Sequence, residues 1–239
     1  ASSVGQPLAS SLRPPMEPTQ LAQYIDHTML RPDAPTSAYD QLCSEAIQYR
    51  FKSVCVTSSW VPYVAKKLQG SGVKVCSVVG FPLGAMDSRT KAFEARGAIE
   101  HGASEIDMVL AIGKLKAGEY DYVEEDIRAV RRATRSTTIL KVIIETSMLT
   151  QEEKVLACQI AKRSGADFVK TSTGFGGGGA TVEDIALMKS VVGEGMEVKA
   201  SGGVRDWDKA MAMIGAGATR IGAVSSIAIV TGKRGTSNY

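Results

Sequence analysis

Three lysines sit inside runs that otherwise hold β-branched and apolar residues: Lys141 in Ile-Leu-Lys-Val-Ile-Ile, Lys170 in Phe-Val-Lys-Thr-Ser and Lys199 in Glu-Val-Lys-Ala-Ser. Burying an ammonium is expensive unless it is paired or neutralised. A single strand lysine can run its stem along the strand end into water, but three on successive strands point to a shared site. Asp107 and Glu145 are the acidic counterparts on neighbouring strands. An amine attacks a carbonyl only as the free base, and with an ordinary pKa of ~10.4 about one lysine in 2,500 is neutral at pH 7. Bringing the pKa to ~7 requires roughly 4–5 kcal/mol. A second ammonium ~6 Å away supplies about 2.8 kcal/mol at an effective dielectric of ~20, and partial desolvation can supply the remainder. These are the ingredients of a Schiff-base nucleophile beside a second, charged lysine. The pattern does not choose which lysine attacks.

A second group of residues suits an anion. Ser201-Gly202-Gly203 follows the seventh strand, with Arg205 close by, and Gly222 with Ser225-Ser226 follows the eighth, where a short apolar helix over Ile227–Val230 can begin. Glycine-freed backbone N–H groups and a helix N-terminus make a phosphate cup, although plain βα turns would read the same way. Gly174-Phe-Gly176-Gly-Gly-Gly179, with Glu194 and Glu197 further on, fits a dinucleotide fingerprint. That fingerprint belongs to a first βα unit, however, and here it falls in the sixth, so we read a mobile glycine-rich loop after a reactive strand. Asp26-His27-Thr28 ends the first strand, and its polar groups either face the site or, for His27, form a hydrogen-bonded core histidine. His101 falls in a helix's last turn and reads as surface. Arg128, Arg131, Arg132 and Arg135 share a helical face with Glu124, read as solvated or as a subunit contact. Cys43, Cys55, Cys76 and Cys158 form no CxxC pair, which argues against structural zinc and a disulfide framework and for small hydrophobes in a reducing compartment. Cys55 can point inward from its strand, with nothing local in sequence to activate it.

The elements that must carry these residues alternate. Strands are expected over Tyr24–Thr28, Ser53–Thr57, Val73–Phe81, Glu105–Leu110, Ile139–Thr146, Phe168–Ser172, Glu197–Ser201 and Thr219–Ala223. Helices are expected over Thr36–Tyr49, Trp60–Leu68, Ser88–His101, Tyr120–Thr134, Gln151–Arg163, Val182–Val191 and Asp206–Ile214. Thr150 with Glu153 makes a capping box. Gly102, Gly165 and Gly217, each followed by Ala and a strand, form an irregularly spaced internal repeat and stop a helix. Continuous apolar strands mean a sheet covered on both faces, hence parallel. Eight βα units in this length fit a single α/β domain, a TIM-type (β/α)8 barrel, ahead of an open doubly wound sheet. The boundaries are a Ser/Pro-rich flexible arm over 1–18 and the barrel over 19–239. No secretory h-region precedes the barrel; Arg13 in an acid-free stretch leaves a mitochondrial leader open. A formal charge of +3 and 6% aromatic residues argue against nucleic-acid binding, and no apolar run approaches the ~18–20 residues of a membrane span.

Taken in order, Ile-Asp26-His-Thr28, Val-Cys55-Val, Val-Val-Gly80-Phe-Pro-Leu-Gly84, Glu-Ile-Asp107-Met-Val, Leu-Lys141-Val-Ile-Ile-Glu145-Thr, Phe-Val-Lys170-Thr-Ser-Thr-Gly-Phe and Val-Lys199-Ala-Ser-Gly-Gly-Val-Arg205 resemble the blocks of the deoxyribose-phosphate aldolase family of class I aldolases, from Leu21 onward. The resemblance implies a lyase that cleaves 2-deoxy-D-ribose 5-phosphate to acetaldehyde and D-glyceraldehyde 3-phosphate, without metal or organic cofactor. It implies Lys170 as the Schiff-base residue, Lys199 as its perturbing lysine and Asp107 as the proton shuttle. Asp26, Thr28, Cys55, Lys141 and Thr173 are implied as substrate-lining positions, and Gly202, Gly203, Gly222 and Ser225 as the phosphate cup. It further implies a cytoplasmic homo-oligomer, dimer or tetramer, acting on a small phosphosugar with no nucleic-acid or membrane partner. One departure stands out: Val224 occupies a position where the family usually has serine, so weaker phosphate recognition or a cup shifted to Ser226 is expected. Tyr239 echoes a C-terminal tyrosine of related enzymes.

Overall fold

The computed structural model describes residues 15–237. Its strands are β1 (Ile25–Thr28), β2 (Ser53–Val56), β3 (Lys74–Val79), β4 (Glu105–Val109), β5 (Ile139–Ile143), β6 (Phe168–Lys170), β7 (Glu197–Ser201) and β8 (Arg220–Ala223). Each pairs in parallel with the next, and β8 pairs with β1, so the sheet is a closed barrel and the open-sheet alternative falls away. The period of two within each strand explains the division of labour. One row, including Val54, Ile106, Leu140, Val169, Val198 and Ile221, joins the apolar core under the helices. The alternate row points to the barrel axis and is largely polar, so the strands are buried on both faces for different reasons.

The helical layer is α1 (Pro18–Ala22), α2 (Thr36–Tyr49), α3 (Val61–Lys67), α4 (Ser88–Glu100), α5 (Ile112–Lys116), α6 (Tyr120–Ala133), α7 (Gln151–Arg163), α8 (Val182–Val192), α9 (Trp207–Ala216) and α10 (Ser226–Val230). Asp87, Thr150, Thr181 and Asp206 cap α4, α7, α8 and α9 with side-chain oxygens, and the Thr150–Glu153 capping box is complete. The Gly-Ala repeat proves to be one helix-ending motif used three times. Gly102, Gly165 and Gly217 take positive φ, and the following N–H of Ala103, Ala166 and Ala218 returns to Ala98, Ala161 and Met213 carbonyls. A fourth copy was hidden in the sequence because Arg50 takes the left-handed place, with Phe51 N–H returning to Ala46.

The helices α1 and α5 were not expected; five residues each are too few to show a helical period. Pro18, the expected end of the N-terminal arm, instead opens α1, and the rest of that arm lies largely outside the described residues, as does Tyr239. Three strands stop two or more residues short of their expected ends. β3 is cut by Gly80 at φ 61°, β5 by Glu145 at φ 55°, and β6 ends at Lys170 itself. Their trailing residues form the loops of the barrel mouth.

Candidate active site

The inward row of the strands builds a continuous ionic cluster from residues far apart in sequence. Asp107 on β4 lies at its centre: Lys170 and Lys199 donate to its Oδ2 at 3.0 and 2.8 Å, and Lys141 donates to its Oδ1 at 2.9 Å. Lys199 also donates to Asp26 Oδ2 at 2.5 Å, and Lys141 to Glu105 Oε2 at 2.6 Å. Arg220 on β8 closes the lower layer, bonding Asp26 Oδ1 at 3.0 Å and Glu105 Oε2 at 2.6 Å. Ser53 donates to Asp26 Oδ1 at 2.6 Å. Strand register explains the convergence, since Lys170 lies beside Lys199 and Asp107 beside Lys141.

Geometry distinguishes the three lysines that the sequence left equivalent. Lys141 and Lys199 are 0% exposed and each bonds two carboxylates; Lys170 is 3% exposed and pairs with Asp107 alone. Lys170 is thus the amine at the top of the cluster. Four cationic side chains face three carboxylates, so one positive charge is in excess. Burial works against the charged form of Asp107, but the ammonium groups of Lys141, Lys199 and Lys170 hold its carboxyl well below the usual range. Asp26 behaves likewise, its burial outweighed by Lys199 and Arg220. Burial also opposes the charge on Lys199, yet Asp107 and Asp26 hold it well above the usual lysine range.

Glu105, Arg220, Cys76 and Ser53 are members of this cluster that sequence reasoning did not single out. A signal was available: Glu105, Arg220 and Ser53 each lie two positions before a residue that was chosen, Asp107, Gly222 and Cys55, and so share its face. Glu145 is the converse case. Expected as an acidic partner of the lysines, it turns instead to the loop after β6, accepting from Thr173 N–H at 3.1 Å and Thr173 Oγ1 at 2.5 Å. Its left-handed backbone aims it there. Gly176 passes so close that an added Cβ would lie 2.6 Å from the Glu145 carboxyl carbon, and one at Gly179 would lie 2.4 Å from the Gly202 carbonyl oxygen. Close packing thus accounts for Gly176, Gly178 and Gly179 in this run.

Cys55 lies beside Cys76 on the inner face, where the neighbouring Cys76 sulfur lowers the Cys55 pKa against its burial, while the Cys76 thiol itself donates to Asp107 Oδ1 at 3.2 Å. The sequence could not show this activation, because Cys76 is on the neighbouring strand. Cys43 and Cys158, in the helical layer, are pushed up to about 11 and about 12 by burial and fit the inert role expected for them. Cys55, Cys76 and Asp107 bring two sulfurs and a carboxylate oxygen within 4.8 Å of one another, and Asp107 is already engaged by three ammonium groups. Above them Leu30, Val78 and Phe81 complete a small apolar wall, with Phe175 edge-on to Phe81 at 5.5 Å.

The candidate anion cup lies to one side. Gly203, Arg205, Gly222, Val224 and Ser225 line a small hollow, which Ser237 from the C-terminal segment also touches. Gly202 and Gly203 take positive φ in the loop after β7. The hydroxyls of Ser172, Ser201 and Ser225, at the ends of β6, β7 and β8, are buried without a hydrogen-bond partner. Buried polar atoms are ordinarily satisfied, so three such hydroxyls at the ends of three adjacent strands suit a polar ligand, and Ser225 of the three lines the hollow itself. Ser226 does not join them. Its hydroxyl donates to the Ala223 carbonyl at 3.0 Å and meets His27 Nδ1 at 2.7 Å on the outer side of the barrel, so the cup is not shifted onto it. Thr28, inward on β1, donates to the Asp26 carbonyl at 2.8 Å.

A (β/α)8 barrel whose axis holds paired lysines and carboxylates, with one amine reaching an apolar mouth, is equipped for carbonyl chemistry through an imine. The chain belongs to the DeoC/LacD family aldolases, whose sequence model matches residues 20–232. It is 60% identical over 213 residues to a deoxyribose-phosphate aldolase of Bdellovibrio bacteriovorus, covering 89% of this chain and 96% of that protein. It is 57% identical to deoxyribose-phosphate aldolase 1 of Oceanobacillus iheyensis, covering 92% and 99%. Among solved structures, the tetrameric deoxyribose phosphate aldolase of Aeropyrum pernix superposes with a TM-score of 0.84 at 33% identity, covering 90% of this chain and 91% of that one.

Proposed function

We propose that the barrel mouth cleaves 2-deoxy-D-ribose 5-phosphate by a retro-aldol reaction through a Schiff base on Lys170. The overall reaction is that of a deoxyribose-phosphate aldolase, a lyase, in keeping with family membership and the curated relatives. The observation that carries the assignment of Lys170 is its place in the cluster: the one lysine of three with exposure, and the one bonded to a single carboxylate.

The steps follow from the groups present. The neutral Lys170 nitrogen adds to the C1 aldehyde of the open-chain sugar, and loss of water gives an iminium. Positive nitrogen then accepts the electron pair of the C2–C3 bond, while the C3 hydroxyl loses its proton and leaves as the aldehyde of D-glyceraldehyde 3-phosphate. Protonation of the enamine at C2 and hydrolysis release acetaldehyde and restore the amine. Asp107 Oδ2, bonded to both Lys170 and Lys199, is the atom through which protons pass between them. Lys141 and Lys199 keep that carboxylate ionised, and Glu105 and Asp26, themselves bonded to Arg220, hold those two lysines in place. The wall of Leu30, Cys55, Val78 and Phe81 suits a two-carbon donor, and the hydroxyls and glycine loops after β7 and β8 suit the phosphate. A homo-oligomer belongs to the same proposal; Leu83 and Phe93 are 69% and 77% exposed, as faces covered by another copy would be.

Borohydride added with acetaldehyde reduces the iminium to a secondary amine, so peptide mass spectrometry should find an ethyl group on Lys170. An unmodified Lys170 peptide, or trapping at Lys141 or Lys199, refutes the assignment. Lys170→Ala should abolish turnover in a folded protein.

A further inference from the structure

His27 stands between Asp26 and Thr28 on β1 but on the opposite, outer face, where it is 3% exposed and takes no part in the lysine cluster. Both ring nitrogens are engaged. Nδ1 lies 2.7 Å from Ser226 Oγ and Nε2 lies 2.7 Å from Glu45 Oε2. The other Glu45 oxygen accepts from Gln41 Nε2 at 2.7 Å, so α2 holds the carboxylate from its own surface. The ring is wedged against Phe51 with centroids 4.9 Å apart. At the far end Ser226 Oγ donates to the Ala223 carbonyl at 3.0 Å.

What this chain of bonds fastens is specific. Ala223 is the last residue of β8 and Ser226 the first of α10. Between them run Val224 and Ser225, which line the anion hollow with Gly203 and Arg205. The Ser226 bond to Ala223 fixes the width of that turn, and the His27 bond fixes its distance from β1 and α2. Because residue 224 is valine and offers no hydroxyl, recognition on this side depends on backbone N–H groups and the Ser225 hydroxyl, and backbone donors are only as well aimed as the turn that carries them.

We propose that Glu45, His27 and Ser226 form a positioning relay for the phosphate subsite, anchored outside the barrel and acting on the substrate through the 223–226 turn. The proposal rests on the reading of the mouth as a phosphosugar site. Its consequence is selective: the relay serves the phosphate and leaves the chemistry at Lys170 alone.

Steady-state kinetics with 2-deoxy-D-ribose 5-phosphate and with unphosphorylated 2-deoxy-D-ribose separate the possibilities. Ser226→Ala and His27→Ala should raise KM for the phosphorylated sugar about tenfold, the scale of one misaligned hydrogen bond to a charged group. Turnover number, and kcat/KM for the unphosphorylated sugar, should stay within about twofold. His27→Asn, whose amide can stand in for Nδ1–H toward Ser226, should recover most of the loss; Glu45→Gln should fall between. Equal losses on both sugars would make the relay a general support and overturn the proposal, as would an unchanged KM in Ser226→Ala, the variant least able to disturb folding. An unmutated enzyme with no preference for the phosphorylated sugar would instead refute the phosphate subsite itself, a separate failure read in the same experiment.

Discussion

Lys170 and Lys199 differ less by their neighbours in sequence than by what shares their oxygen. Both reach Asp107 Oδ2, but only Lys199 has Asp26 as a second carboxylate. Lys199 therefore remains a charged neighbour while Lys170 works as the base-form nucleophile of the proposed cycle. Replacing Lys199 by leucine removes a donor to the oxygen that Lys170 shares and breaks the link from Asp107 to Asp26. Lys199→Leu should lower kcat/KM for 2-deoxy-D-ribose 5-phosphate by about a hundredfold in a folded protein, the scale of a lost proton-transfer arrangement. An unchanged kcat/KM would remove Lys199 from this role.

Between elements, the structure holds an ion pair that no strand pattern announced. Lys91 on α4 and Asp126 on α6 are both fully buried and meet at 2.6 Å, and the Lys91 ammonium also donates to the Val109 carbonyl at the end of β4. Ser88 donates to the second Asp126 oxygen at 2.8 Å. The pair thus ties two helices to the strand that carries Asp107. Breaking it by Lys91→Ala strands a buried carboxylate and should cost about 3–5 kcal/mol of stability. Lys91→Met with Asp126→Leu should restore much of that in urea unfolding, since neither charge is then left alone. From the sequence these two residues are indistinguishable from the solvated charges of any helix, because their burial depends on how α4 packs against α6.

For the whole molecule, the barrel-axis cluster couples stability to pH. Asp26 and Asp107 have folded pKa values depressed below their unfolded ones, so their contribution is fully present above the ordinary carboxyl value of ~3.9 and is lost as pH falls toward the folded values. Lys141 and Lys199 are raised, so theirs is fully present below ~10.4 and is lost only as pH climbs above it. The unfolding free energy should therefore show no loss from this cluster between roughly pH 5 and 9 and should fall below about pH 4. In urea titrations, a decline that Asp26→Asn or Asp107→Asn abolishes near neutrality would contradict these directions. Much of this molecule was legible in residue order alone. Eight alternating units, the helix-ending Gly-Ala repeat and three lysines in apolar runs follow from local periodicity and backbone preference, which neighbours along the chain determine. What only the tertiary structure decided is who meets whom across the axis. Arg220 and Glu105 are 115 residues apart, and Lys199 and Asp26 are 173 apart. The choice of Lys170 as the reachable amine, the diversion of Glu145 and Ser226 to other partners, and the effect of Cys76 on Cys55 all depend on which strands and loops become neighbours in the barrel. Electrostatic pairing and burial depend on distance in space, and a chain's order does not contain that distance until the barrel is shut.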